Sequence, residues 1–174
     1  MPERIFYSKL FYMKKEAYQF IFEVYESLDE LTEADKKLLN KAREVTQHAY
    51  APYSHFRVGA IARVTTGEMV IGSNQENASF PIGLCAERVL LATAASLFPD
   101  VAIEAIAISY HNENGDSKHP ITPCGICRQS LLEYEMRVKH PIRLILGGLQ
   151  GKVYVIERAA LLLPLSFTAD DINT

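Results

Sequence analysis

The sequence predicts an α/β fold in which a sheet is layered against helices, and three observations carry that expectation. Strand-like and helical segments alternate along the chain, the pattern of a layered α/β domain. A strand-like run, Ala102–Tyr110, lies between two helical segments, of which Gly83–Leu97 is apolar nearly all round. The last two strands are joined only by Gly147–Gly151, too few residues for a crossover, so they should run antiparallel. A length of 174 residues suits one domain.

Residues 1–12 have no clear period and precede a second methionine, Met13, whose Met13-Lys14-Lys15 run is an expected alternative start. Residues 1–30 are expected to form an N-terminal extension with one short strand at Ala17–Val24. Thr32 then offers an N-cap, with Glu33 and Asp35 in the first turn. Leu38, Leu39, Ala42, Val45 and Ala49 recur at helical spacing until Pro52 stops the helix. Phe56–Val64, the turn Thr65-Thr66-Gly67 and Met69–Ile71 read as a hairpin. After the buried strand Ala102–Tyr110 comes a polar loop, His111–His119. A second helix should run from Pro123 to Val138, with Thr122 as N-cap and Pro123 at the first position. Ile142–Leu146 and Val153–Ile156 read as strands, and Arg158–Leu163 as a short helix stopped by Pro164.

Composition narrows the function. Hydrophobic residues make up 48% and charged residues 22%, which fits a globular chain and not a disordered one. A net charge of -3 argues against a general nucleic-acid binder, which needs an excess of Lys and Arg. The longest apolar run, Ala159–Leu163, is far too short to span a bilayer, and the first residues lack the pattern of an export signal. The expected location is therefore the cytoplasm. Three cysteines are an odd number and argue against a disulfide framework, which leaves metal binding or catalysis.

All three cysteines lie where helices are expected to begin. Cys85-Ala86-Glu87-Arg88 opens the first, and Pro123-Cys124-Gly125-Ile126-Cys127-Arg128 the second. Cys124 and Cys127, three residues apart, face the same way on a helix. Three thiolates make a zinc site with its fourth position open, the arrangement of a catalytic metal. Their charge leaves the site at -1, and Arg88 and Arg128 are candidates to offset it by donating to sulfur. Glu87, two residues past Cys85, could reach the open position and move a proton there. A structural zinc module would want a fourth ligand. His48, His55, His111, His119 and His140 have no ligand-like spacing and read as surface or packing residues. A non-enzymatic zinc-binding interaction module stays open at this point.

Five ordered motifs give the chain a resemblance to a known family. They are Ala49-Tyr50-Ala51-Pro52-Tyr53-Ser54-His55-Phe56-Arg57-Val58-Gly59-Ala60, Asn74-Gln75-Glu76-Asn77-Ala78, Cys85-Ala86-Glu87-Arg88, Pro123-Cys124-Gly125-Ile126-Cys127-Arg128-Gln129, and Leu162-Leu163-Pro164 followed by Phe167. Together they resemble the cytidine deaminases of the small, zinc-dependent, homo-oligomeric type, from about Ala49 to Phe167. The resemblance implies a three-layer α/β/α fold over residues 31–174, with a mixed five-stranded sheet whose last two strands are antiparallel. It implies hydrolytic deamination of cytidine and deoxycytidine to uridine and deoxyuridine with release of ammonia, in pyrimidine salvage. One Zn²⁺ per subunit would be held by Cys85, Cys124 and Cys127, and Glu87 would carry protons between water, N3 of cytosine and the leaving ammonia. Ala86 would hold the base edge through its backbone N–H, while Asn74 and Glu76 would hydrogen-bond the ribose. Phe56 would pack on the base. Phe80, where a tyrosine is common in the family, and Phe167 would close the pocket, Phe167 from a neighbouring subunit. The implied partners are a small-molecule nucleoside and further copies of the chain, most often in a homotetramer, with neither nucleic acid nor membrane.

Related deaminases fit less well. Nucleic-acid deaminases usually carry histidine as first ligand and join the last two strands by a helical crossover. Deoxycytidylate deaminases resemble an H-A-E pattern, and deaminases of nucleoside antibiotics differ around Asn74-Gln75-Glu76-Asn77.

Overall fold

Thr32 opens the first helix, α1 (Glu33–Val45), by accepting from the Asp35 N–H at 3.2 Å, and Glu33 and Asp35 complement its N-terminal dipole. The structure is a computed structural model and describes residues 13–172. The aperiodic stretch 1–12 lies outside the described residues. The helix stops at Val45 and does not continue to Ala49. The Thr46 hydroxyl donates back to the Arg43 carbonyl at 2.7 Å, and one 3₁₀ turn, Thr46–His48, follows.

The strands are β1 (Glu23–Tyr25), β2 (Phe56–Val64), β3 (Met69–Ser73), β4 (Ile103–Asn112), β5 (Arg143–Gly147) and β6 (Val153–Ile156). They form one mixed sheet in the order β1-β6-β5-β4-β2-β3. β4 and β5 run parallel, joined through helix α3 (Gly125–Val138), whereas β5 and β6 are antiparallel as the short Gly147–Gly151 link requires. The sheet has six strands and not the expected five. The extra one is β1, which pairs Glu23 with Val155 and Tyr25 with Val153 on the outer edge of β6. Only the end of the expected Ala17–Val24 strand is paired. Three residues at an edge carry too little alternation to fix their own bounds.

Side chains of β4 alternate between two cores. Ala105 and Ala107 pack with Ile61, Ile145 and Val155 against Leu38, Leu39 and Ala42 of α1. Ile106 and Ile108 pack with Leu144 and Leu146 against Leu90 and Ala94 of helix α2 (Ala86–Leu97) and Leu131 of α3. The result is three layers, with α1 on one face and the two cysteine-bearing helices on the other.

Two features lock those helices in place. A Cβ at Gly72 of β3 would lie 2.4 Å from the Ala86 carbonyl and 2.5 Å from the Leu90 N, so glycine there lets the N-terminus of α2 sit directly on the sheet. The buried Glu135 carboxylate of α3 accepts from Ile142 N at 2.8 Å and Ala159 N at 2.9 Å, and pairs with Arg158. It ties α3 to the start of β5 and to the 3₁₀ turn Ala159–Leu162, the expected short helix.

Candidate active site

Both cysteine-bearing helices begin on the cysteine itself. Cys85 is the N-cap of α2 and Cys124 the N-cap of α3, each in extended conformation and without a side-chain capping bond. This corrects the expected starts at Gly83 and Pro123, with Thr122 as cap. Phe80–Ile82 form a separate 3₁₀ turn, and α3 starts only at Gly125. The shift places the sulfurs beside first-turn N–H groups that have no intrahelical partner, a favourable place for thiolates.

The three sulfurs converge. Cys85 and Cys124 are 3.9 Å apart, Cys124 and Cys127 3.5 Å, and all three lie within 4.8 Å of one another. Tetrahedral zinc with ~2.3 Å bonds to sulfur requires roughly 3.8 Å between sulfurs, so the donor set and its spacing fit Zn²⁺ with one position left for another ligand. The Cys127 thiol donates toward Cys85 and holds the Cys85 thiol down to about 6 against its burial. The same interaction, together with burial, pushes Cys127 up. One of the three thiols is thus held toward its thiolate form, the form that binds a cation.

Glu87 stands on the first turn of α2, 6% exposed. Burial raises its carboxyl pKa, opposed by its own backbone N–H and by the Cys127 thiol. Neither arginine donates to sulfur, contrary to the sequence expectation. Arg128 commits Nε to Pro123 O at 2.8 Å, Nη1 to Leu162 O at 3.1 Å and Nη2 to Thr122 Oγ1 at 3.2 Å, clamping the turn before Cys124 to the 159–162 segment. Arg88 acts on Cys85 only through its charge, which lowers the thiol pKa. It lies along a groove between α2 and α3.

Above the sulfurs opens a cavity of about 750 Å³, within the range of small-molecule sites. Cys85, Ala86, Glu87 and Cys124 border it together with Phe56, Asn74, Glu76 and Phe80. Asn74 accepts from Val58 N at 2.7 Å and donates to Phe56 O at 2.9 Å, which fixes the start of β2 and leaves its second amide proton for a ligand. The Glu76 carboxylate accepts from Tyr53 N at 2.9 Å and Ser54 N at 3.3 Å. Burial acts to raise its pKa, but the Ser54 hydroxyl, these two N–H groups and His55 together bring it below the ordinary value. The Phe56 ring stacks on Tyr110, centroids 4.9 Å apart, and the Tyr110 hydroxyl meets His119 Nδ1 at 3.2 Å. Phe80 is 73% exposed at the rim, edge-on to Tyr53. Phe167 is not brought to this cavity. It is 62% exposed in a separate cleft beside α3, where its carbonyl accepts from Gln129 at 2.9 Å.

Sequence reasoning placed none of Tyr53, Ser54, Tyr110 and Ile121 in the site, and took Thr122 only as a helix cap. Tyr53 acts on Glu76 through its backbone N–H, which no residue type announces, and Ser54 through its N–H and its hydroxyl, although both stand inside a quoted motif. Tyr110 could have been found from its place at the end of a buried strand, where a polar tip needs a partner.

A metal-binding trio of cysteines at helix starts, a buried carboxylate beside it and a ligand-sized cavity above define a zinc-dependent hydrolytic enzyme. Comparison with known proteins agrees. The family model for the cytidine and deoxycytidylate deaminase zinc-binding region matches residues 32–140, which include all three cysteines. A cytidine deaminase of Halalkalibacterium halodurans is 38% identical over 138 residues, 78% of this chain and 96% of that protein. One from Mycobacterium tuberculosis is 36% identical over 109 residues, 61% of this chain and 77% of that protein. The crystal structure of the Burkholderia pseudomallei cytidine deaminase, 36% identical, superposes with a TM-score of 0.66 over 79% of this chain and all of that one. The chain belongs to the cytidine deaminase family, and its cofactor is Zn²⁺.

Proposed function

We propose that the protein hydrolyses cytidine and deoxycytidine to uridine and deoxyuridine, releasing ammonia, in pyrimidine salvage. The observation that carries this reading is the convergence of Cys85, Cys124 and Glu87 with Asn74 and Glu76 on one cavity, so that the reactive groups and ribose-binding groups serve a single ligand. Zinc, when bound by Cys85, Cys124 and Cys127, supplies Lewis acidity that makes water a nucleophile near neutral pH. Glu87 takes a proton from that water and delivers one to N3 of the base as oxygen adds to C4. It then takes the remaining proton of the C4 hydroxyl and gives it to the departing amino group, so that cytidine and water give uridine and ammonia. Ala86 holds the base edge by its N–H, and Phe56, backed by Tyr110, packs on the ring.

Asn74 and Glu76 make the sugar a requirement. Free cytosine leaves their hydrogen bonds unmade, at about 1–3 kcal/mol for each group. Cytosine should therefore be poorer than cytidine by roughly 5- to 150-fold for each lost contact. A 5′-phosphate should also be disfavoured, because among the described residues no Lys or Arg borders the cavity and Glu76 repels it. The test is kcat/KM for cytidine, deoxycytidine, cytosine and cytidine monophosphate, followed by ammonia release. Similar values for cytidine, cytosine and the monophosphate would refute the assignment of Asn74 and Glu76. Bound zinc with no turnover of any of them would favour a structural zinc module.

The reading includes a homo-oligomer, a tetramer, in which Phe167 completes a neighbour's pocket. It is supported by an exposed phenyl ring that its own cavity does not receive, although burying such a ring contributes about 1.5–3 kcal/mol. Chains truncated after Pro164 and mixed with Glu87→Gln chains should regain activity, since an intact Glu87 site can borrow a tail. No recovery in verified mixed oligomers would place Phe167 on its own subunit.

A further inference from the structure

Glu113 lies just past β4 and outside the cavity, yet it anchors, at His55 and Arg57, one end of the loop that forms the cavity wall. Its carboxylate takes Arg57 Nε on one oxygen and His55 Nδ1 on the other, the latter at 3.3 Å, and its backbone N donates to His55 O at 3.0 Å. Arg57 in turn donates through Nη1 to Ala49 O at 2.9 Å, so its guanidinium joins the two ends of segment 49–57 while its ion pair with Glu113 holds that guanidinium in place. Within that span His55 has φ 55°, a left-handed conformation that a non-glycine residue keeps only when its surroundings hold it. The turn directs Tyr53 N and Ser54 N onto the Glu76 carboxylate, and the Ser54 hydroxyl accepts from Phe56 N at 3.1 Å. The loop is thus strained and tied from outside, and its inward N–H groups orient the carboxylate meant for ribose.

We propose that Glu113, with Arg57 and His55, is a positioning latch for nucleoside binding, setting the 50–56 loop and through it the orientation of Glu76. The inference rests on the reading of Glu76 as a ribose-binding group. Because Glu113 touches neither the sulfurs nor Glu87, its loss should act on binding and not on the proton transfers. Partly exposed ion pairs and single hydrogen bonds have small individual effects, so opening the latch should raise KM for cytidine by roughly three- to tenfold while kcat stays within about twofold.

The experiment is a double-mutant cycle on the zinc-loaded enzyme with cytidine, with zinc content and melting temperature measured on every variant. Glu113→Gln should raise KM as stated, keep full zinc, and have less than about a twofold effect when Glu76 is already Gln. Arg57→Lys, which keeps the charge but cannot serve Glu113 and Ala49 together, should reproduce the rise in KM. An unchanged KM in Glu113→Gln would overturn the proposal. So would an equal rise in the Glu76→Gln background, or a fall in kcat accompanied by loss of zinc. If Glu76→Gln alone leaves KM at the wild-type value, the ribose assignment fails instead, which is a separable result.

Discussion

Glu87→Gln should retain the fold and the zinc and lose deamination. The amide is nearly isosteric with the carboxylate, and the site that encloses residue 87 has room for either. What glutamine cannot do is accept a proton from water and return it to nitrogen. A positioned acid–base group contributes about 10²–10⁴-fold, and Glu87 serves at several transfers in one turnover, so the loss in kcat should reach the upper end of that range. Burial already pushes the Glu87 carboxyl up, toward the pH at which a single group can both take and give a proton. Steady-state kinetics with cytidine, alongside zinc analysis, decide the matter. Turnover near that of the wild type in a zinc-loaded Glu87→Gln protein would mean that another group moves the protons.

Cys124→Ala should remove both zinc and activity. Cys124 is the sulfur that sits close to each of the other two, at 3.9 Å from Cys85 and 3.5 Å from Cys127. Its loss leaves two thiolates, too few protein ligands for a stable catalytic zinc site. Activity should fall below detection. The melting temperature should drop by several degrees, because a metal that binds only the folded chain stabilises it by mass action. Chelation of the wild-type protein should act in the same direction and be reversed by added Zn²⁺. A Cys124→Ala protein with full zinc and full turnover would overturn the ligand set.

Local chemistry was the legible part of this molecule. Thr32 followed by acids announced α1, and the i, i+3 spacing of Cys124 and Cys127 announced two sulfurs on one side of a helix. The short link between β5 and β6 fixed their antiparallel pairing. The cysteines were placed near the helix starts, but the exact first residues were hidden, because cysteine is a poor capping residue and Thr122 a good one. Both helices nevertheless begin on a cysteine that makes no capping bond, and the sulfurs converge there. The bounds of β1 were hidden in another way. Its pairing depends on Val153–Val155, far along the chain, and three residues give no period. Arg128 shows the limit of reasoning from net charge. Its place after Cys127 suggested a bond to sulfur, but the carbonyls of Pro123 and Leu162 take its protons. Backbone donors such as Tyr53 N and Ser54 N leave no signature in residue type at all.

The central claim is that one three-cysteine zinc site per chain drives cytidine hydrolysis. Its most direct test is to add Zn²⁺ stepwise to metal-free protein while measuring bound metal and uridine formation on the same samples. Turnover should rise in proportion to bound zinc and level off at about one ion per chain, as three thiolates and one open position require. Turnover that is already complete without zinc, or a chain that binds one zinc and forms no uridine, would contradict it.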